Sequence, residues 1–127
     1  MPRKAVTMPA NVSPSPYYSP AVRAGDFIFI SGQGPRDPET GQFAGENIEQ
    51  QTELTLNSVR AVLRAAGADL DDVVKVHVHL RHIDDFDRFN AVYTRFFGNP
   101  KPARTTVGSH VGDILIEIDA VAYTGST

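Results

Sequence analysis

The sequence predicts an α+β protein in which two helices pack on one face of a single six-stranded mixed sheet. Two hydrophobic patterns support this prediction. The segment "DVVKVHVHLR", residues 72–81, alternates apolar and polar side chains with the period of two that is typical of a half-buried strand. Residues 47–66 instead carry their apolar side chains on one stripe with the period of a helix, and Gly67 is placed to end it. The full order of elements is β-β-β-α-β-α-β-β.

The remaining segments supply the other strands and the second helix. "KAVTM", residues 4–8, is predicted to be a short edge strand, and residues 21–23 and 27–31 form a hairpin. The proline-rich residues 9–20 are expected to be extended or in turns. "ARTTVGS" and "DILIEIDAVAY", residues 103–109 and 113–123, are the last two strands.

The second helix is predicted to begin at Asp84, a suitable N-cap, and to end before Gly98 and Pro100. Its spacing turns aromatic side chains inward. These side chains are Phe86, Phe89, Tyr93, Phe96 and Phe97. In the strand of residues 72–81, one predicted face holds Val74, Val76, Val78 and Leu80, and the other holds Lys75, His77, His79 and Arg81.

Length and composition limit the possible classes of protein. The 127 residues fit one domain, with residues 1–16 extended and partly in the edge strand. The hydrophobic share of 41% and the absence of a long apolar run predict no membrane association and a cytoplasmic location. The net charge of −3 and the scattered basic residues make nucleic acid an unlikely main partner. Without cysteine, disulfides and thiolate chemistry are excluded.

Arg104 stands at the start of a strand in "NPKPARTTVGS", residues 99–109. Its planar guanidinium could hold a carboxylate through two parallel hydrogen bonds. A surface or interface salt bridge is the alternative, and the local sequence alone favours it.

Glu117 lies in "ILIEIDA", residues 114–120, and points away from the face of its isoleucine neighbours. A carboxylate on a partly buried face could assist proton transfer, whereas the same residue on an exposed edge would only be solvated. Asp119 shares the face of Glu117, so the two carboxylates could interact.

His77 and His79 project to one side of their strand and could bind a metal. No third ligand appears at a suitable spacing, so no metal site is predicted, and packing on the sheet face is the alternative. The glycines of "SGQGPRDP", residues 31–38, match neither a phosphate loop nor a dinucleotide fingerprint, and no cofactor is predicted. Gly32 more plausibly lets a backbone or ligand come close. The sheet face opposite the helices is predicted to be a subunit interface with clefts, because it mixes polar side chains with Phe or Leu residues. The polar side chains are Lys75, His77, His79, Glu117 and Asp119.

Taken together, these blocks resemble the RidA/YjgF/UK114 family of reactive-intermediate deaminases. The resemblance covers residues 17–123 and rests on "YSPAV", "FISGQGPRDPETG", "DDFDRFNAVYTRFF", "PARTTV" and "IEIDAVAY" in their order and spacing. It implies a chorismate-mutase-like subunit that assembles as a homotrimer with clefts between neighbouring chains.

The resemblance also implies a role for each site residue. Arg104 would bind the carboxylate of a 2-imino or enamine acid, such as 2-iminopropionate or 2-aminoacrylate, and Glu117 would orient or activate water. Hydrolysis of the C=N bond would give a 2-keto acid and ammonia without a cofactor. Among the implied substrate-binding residues, Tyr18 and Asn90 would line the pocket, and backbone groups near Gly32 and Thr106 would contact the substrate. Thr106 stands in place of a cysteine that many members carry.

Three rival functions remain open from the sequence. A pathway enzyme for one enamine of the aminomuconate type would use the same residues. A trimer that binds keto acids or amino acids without turnover would need only the binding residues. A ribonuclease is the third, and the charge balance offers it no phosphate track.

Overall fold

In the computed structural model, which describes residues 3–8 and 15–125, six strands form one mixed sheet and two α-helices pack on one of its faces. The predicted fold class and order of elements are confirmed. The elements are β1 (Lys4–Ala5), β2 (Ala21–Ala24), β3 (Phe27–Gln33), α1 (Ile48–Ala65), β4 (Val73–Leu80), α2 (Phe86–Tyr93), β5 (Ala103–Gly108) and β6 (Ile116–Tyr123). Across the sheet the strands follow the order β1-β2-β3-β6-β4-β5.

The pairing of β4 with its two neighbours decides where the site residues point. β4 runs parallel to β5, and α2 forms the crossover between them. Val76 lies opposite Arg104 and Val78 opposite Thr106, and both valines are fully buried. Because residues paired across neighbouring strands share a face of the sheet, Arg104 and Thr106 project to the side that the helices cover.

The core lies between that side of the sheet and α1. Side chains from β3, β4 and β6 alternate into it, and α1 contributes the stripe that its period predicts. The Asn47 side chain accepts a hydrogen bond from the Gln50 N–H at 2.9 Å and so caps the start of α1. Gly67, just beyond the end of α1, has a φ of +86°, which favours glycine.

The predicted apolar face of β4 is wrong at one position. Val73 is buried, whereas Val74 is 45% exposed. Val73 pairs with Ala122 of β6, and Lys75 pairs with Val121. From one pair to the next, β4 thus moves on by two residues while β6 moves on by one. Such a bulge breaks the strict alternation that the sequence pattern assumes. From Val76 onward the alternation holds.

The predicted start of the second helix at Asp84 is also wrong. A 3-10 turn spans Ile83–Asp85, α2 begins at Phe86, and another 3-10 turn, Thr94–Phe96, follows it. Asp84 lies inside the first turn, which the Asp85 N–H closes on the His82 carbonyl at 3.0 Å. Phe86 was expected inside but is 37% exposed, because it stands on the first residue of the helix beside Arg104.

The first residues are described only in part. β1 pairs with β2, which confirms the short edge strand that "KAVTM" predicts. Of the proline-rich segment, residues 9–14 lie outside the described residues, and residues 15–20 form no helix or strand. Within the described parts of the chain, no helix has the length and apolarity that crossing a membrane requires.

Candidate active site

The Arg104 side chain reaches from β5 to α2. Its Nη1 donates a hydrogen bond of 2.7 Å to Asn90 Oδ1. The guanidinium lies over the rings of Tyr93, Phe89 and Phe86, with its central carbon 4.6, 5.2 and 5.6 Å from the ring centroids. A cation over aromatic faces is attracted by their electron density and is partly removed from water. Helix and strand therefore hold the guanidinium in a defined place.

Arg104 has no carboxylate partner among the residues that the structure describes. No acidic oxygen there lies within 4.0 Å of its nitrogens, so an ion pair inside the chain does not explain this residue. Asn90 is a neutral acceptor and takes one of the five N–H groups that a guanidinium presents. The remaining donors are available to a bound anion.

A cleft of about 310 Å³ opens at this arginine, between the end of α2 and the start of β5. Asn90, Tyr93 and Arg104 line it together with Thr94, Lys101 and Pro102. Lys101 belongs to the wall, because its ammonium donates to the carbonyl oxygens of Thr94 and Phe97. The volume suits a small molecule of a few heavy atoms.

A larger cleft, of about 560 Å³, lies between residues 70–74 and 97–102. It contains none of the residues that the sequence marks as site candidates. Its charged groups are Asp71 and Lys101, and Lys101 is already bound to carbonyls. The smaller cleft is therefore the better candidate site, since a cationic fork without an anion and polar groups converge there.

Two buried hydroxyls near Arg104 lack a hydrogen-bond partner within residues 3–8 and 15–125. They are Tyr93 Oη and Thr106 Oγ1. Burial raises the pKa of the Tyr93 phenol, and the nearby positive charge of Arg104 acts in the opposite direction. Unpaired buried hydroxyls are uncommon in folded proteins and often mark a site that a ligand or water completes.

Glu117 lies on the other face of the sheet. It pairs with His79 of β4, between Ile116 and Ile118, which are fully buried. Because side chains alternate along a strand, Glu117 projects to the face that the helices leave open. Within one chain the structure thus does not bring Glu117 together with Arg104, although the sequence places both in one site.

Gly32 lies next to the Glu117 side chain, on the face of the sheet that the helices leave open. A Cβ built on Gly32 would lie 2.7 Å from Glu117 Cδ and closer still to Oε1. No side chain fits there, so glycine is required for the carboxylate to keep its position. Gly32 lies where the pairing of β3 with β6 shifts, between Ile30 and Gln33.

Tyr18 is 61% exposed, in the irregular segment before β2. Ser31 Oγ donates to the Ser19 carbonyl at 2.6 Å, which fixes the segment next to Tyr18 beside the strand that carries Gly32. We call Arg104, Asn90 and Thr106 the arginine half-site, and Glu117 and Gly32 with the adjacent Tyr18 the glutamate half-site. The sheet lies between Arg104 and Glu117.

Sequence reasoning missed the part that Tyr93 and the two phenylalanines play around Arg104. It took all three rings as core. The spacing of Asn90 and Tyr93, three residues apart on a helix, was the available signal that both face one partner. It also missed that Asp119 lies opposite His77, with 3.9 Å between Oδ2 and Nδ1.

Comparisons with known proteins agree on the family. The family model described as Endoribonuclease L-PSP matches residues 8–124. A RutC family protein of Pyrococcus abyssi is 46% identical over 84% of this chain and 85% of its own length. The chloroplastic Reactive Intermediate Deaminase A of Arabidopsis thaliana is 39% identical over 90% of this chain and 60% of its own length.

Among solved structures, RidA from an Antarctic Psychrobacter superposes with a TM-score of 0.82 at 33% identity, over 92% of this chain and 98% of that one. The fold and the half-sites define a small α+β protein of the Rid type. The chain belongs to the endoribonuclease L-PSP family, which includes the Rid proteins, and the predicted family membership is confirmed.

The buried phenol gives a prediction for stability at high pH. An unfolded tyrosine ionises near pH 10, whereas Tyr93 in the folded chain has a raised pKa. The stability that the un-ionised Tyr93 contributes is complete below the pKa of this tyrosine in the unfolded chain. It is lost as pH rises through the pKa of Tyr93 in the folded chain. Above about pH 10, the stability of Tyr93→Phe should therefore fall less steeply with pH than that of the wild type.

Urea unfolding between about pH 8 and about pH 12 measures this difference. Tyr17→Phe is the matched control, since Tyr17 is 90% exposed, and it should keep the slope of the wild type. Equal slopes for Tyr93→Phe and the wild type would contradict the prediction.

Proposed function

We propose that this protein is a cofactor-free hydrolytic deaminase of short 2-imino and enamine acids, such as 2-iminopropionate and 2-aminoacrylate. An enamine acid first becomes the imine, as a proton is gained at the β-carbon and one is lost from the nitrogen. Water then adds to the C=N carbon, a proton from the added water passes to the nitrogen, the C–N bond breaks, and a 2-keto acid and ammonia leave. The observation that carries the proposal is the Arg104 guanidinium, held at a cleft by Asn90 with no carboxylate partner in the described parts of the chain. Membership of a family with a plant Reactive Intermediate Deaminase supports it.

Arg104 binds the substrate carboxylate. A hydrogen bond to a charged group contributes roughly 1.5–3 kcal/mol, and the paired geometry of guanidinium and carboxylate fixes the plane of the substrate. The aromatic rings around Arg104 exclude water from one side and so strengthen the attraction. The hydroxyl of Thr106 lies on the same face, two residues along β5, and is buried outside the lining of the cleft.

Glu117 orients water and assists its deprotonation, with Gly32 and Tyr18 beside the substrate. Since Glu117 and Arg104 lie on opposite faces of one sheet, each complete site takes the two residues from different chains. A homotrimer in which each open face meets the edge of the next chain would build three such sites. The exposed Phe27 and Phe29 on β3, 41% and 47% accessible, give that face apolar area for the contact.

The chemical demand on the protein is modest. Imines hydrolyse in water without a catalyst, so orientation together with one assisted proton transfer is sufficient. The acid-base part of such assistance contributes about 10² to 10⁴-fold. Neither a metal nor a redox cofactor is needed for this reaction.

A second candidate is a trimer that binds keto acids or amino acids without turnover. The arginine half-site alone favours it, because carboxylate binding needs nothing from the open face. A deaminase restricted to one enamine, of the aminomuconate type, uses the same two half-sites. An endoribonuclease, as the description of the family model reads, finds no support in a net charge of −3.

The wild type should accelerate ammonia release from 2-iminopropionate that an amino-acid oxidase generates in the same cuvette. We expect the rate to rise in proportion to protein concentration. 2-Keto acids should raise the melting temperature, because they carry the same carboxylate. Thermal stabilisation without faster ammonia release would favour the binding protein over the deaminase.

Arg104→Lys should lower kcat/KM by about tenfold or more, because lysine keeps the charge but loses the planar fork. Steady-state kinetics on 2-iminopropionate give the value. Arg95→Lys is the matched control, since Arg95 is an exposed arginine in the turn after α2, and it should leave the kinetics unchanged. Unchanged kinetics for Arg104→Lys would remove this residue from the site.

Mixing two inactive variants tests whether the site is shared between chains. Arg104→Ala and Glu117→Gln should each be inactive while remaining assembled. After unfolding and refolding as an equal mixture, about one site in four would receive an intact arginine from one chain and an intact glutamate from the next. We expect about a quarter of the wild-type rate to return.

The control for this experiment is the same refolding of each variant alone, which should restore no activity. A mixture that stays inactive, although size-exclusion chromatography shows mixed assemblies, would mean that both residues act from the same chain. If Glu117→Gln alone keeps full turnover, Glu117 has no role in the mechanism.

A further inference from the structure

Two histidines and an aspartate meet on the open face of the sheet. His77 lies opposite Asp119 in the pairing of β4 with β6, and His79 follows two residues along β4. One ligand atom from each of the three side chains lies within 4.8 Å of the others. The two imidazole rings are 4.6 Å apart between centroids. The neighbouring strand β6 thus supplies the third ligand, Asp119, which no residue of β4 provides.

We propose that His77, His79 and Asp119 form a binding site for a divalent transition-metal ion, with Zn²⁺ as the best fit. Two nitrogens and one carboxylate oxygen are a donor set that zinc accepts in proteins, whereas Mg²⁺ and Ca²⁺ prefer oxygen alone. Three protein ligands leave a fourth position of the tetrahedron for water or another small ligand.

The distances suit this assignment. Ligand atoms bonded to zinc at about 2.0–2.1 Å lie roughly 3.3 Å apart in a tetrahedron. His77 Nδ1 and Asp119 Oδ2 are 3.9 Å apart, which small side-chain rotations can close. His77 and Asp119 are about two-fifths exposed, so the rotations meet no packed core. The strands that carry the ligands are paired and fix their Cα positions.

A neighbouring serine orients one of the ligands. His79 Nδ1 lies 2.9 Å from Ser109 Oγ. When Nδ1–H donates to this oxygen, the Nε2 lone pair is left for the metal, and the ring is held in one orientation. Ser109 is itself anchored, since its N–H donates to the Leu80 carbonyl at 2.9 Å. Second contacts of this kind accompany most metal-bound histidines.

The alternative is an ion pair between His77 and Asp119. At 3.9 Å the two groups are beyond hydrogen-bond distance, and in the described residues Asp119 makes no side-chain hydrogen bond. Lys75, on the same face of β4, donates to Thr105 Oγ1 at 3.0 Å, toward β5 and away from Asp119. The carboxylate is therefore free to take a metal ion.

The site does not depend on the proposed deaminase function. All three ligands come from one chain, so one ion is expected for each chain whether or not copies assemble on this face. Glu117 lies opposite His79 and beside the cluster, but it makes no part of the ligand set. Binding of the ion can therefore be measured without any assay of ammonia release.

The experiment uses untagged protein freed of metal with a chelator and then dialysed. Zn²⁺ is titrated by calorimetry, and Co²⁺ by its visible absorption, which becomes intense in tetrahedral coordination. We expect one ion per chain with a dissociation constant in the micromolar range or below. His77→Asn, His79→Asn and Asp119→Asn should each weaken binding at least tenfold.

His82→Asn and His110→Asn are the matched controls, since both residues are exposed histidines outside the cluster. They should bind as the wild type does. Ser109→Ala keeps all three ligands but no longer orients the His79 ring, so it should weaken binding about 10 to 100-fold. This variant tests the proposal even if a ligand variant fails to fold. Binding that is absent or only millimolar in the wild type, or lost equally in the controls, would overturn the proposal.

Discussion

The faces on which Arg104 and Glu117 lie depend on the pairing of β4 with its two neighbours. Parallel pairing with β5 places Arg104 opposite Val76, and antiparallel pairing with β6 places Glu117 opposite His79. A slip of one residue in either pairing would turn the buried valines to the open face. The same burial that stabilises the fold thus keeps the cation under the helices and the carboxylate on the opposite side.

This separation gives the two faces of the sheet different electrostatic characters. Under the helices, the Arg104 guanidinium lies among aromatic rings with a neutral acceptor and unpaired hydroxyls. On the open face, carboxylates and imidazoles stand near exposed phenylalanines. A partly buried cation without an anion carries a desolvation cost, which a ligand that supplies the missing charge would offset.

Patterns local in sequence predicted most of the fold. The helical stripe of α1 and the alternation of β4 and β6 follow from side-chain spacing alone, and both are found. The predictions failed at one strand pairing and at one helix start. Val74 is exposed because of a bulge that only the ladder with β6 defines, and the 3-10 turn that contains Asp84 replaces the expected first turn of the helix.

The site was less accessible to sequence reasoning, for the same reason. Arg104 and Glu117 could be named from their residue types and from the resemblance, but their faces follow from the register of separate strands. The same holds for Asp119, which is 42 positions from His77 in the chain and directly opposite it in the sheet. The side-chain spacing within one strand does not predict which residue of another strand lies opposite.

The bare main chain at Gly32 has an entropic consequence for Glu117. The backbone of Gly32 lies against the carboxylate side chain, in space that a Cβ would fill. Immobilising a glutamate side chain costs up to about 2 kcal/mol of conformational entropy. In the proposed reaction, contact with Gly32 would let that ordering take place once, when the chain folds, and not at each turnover.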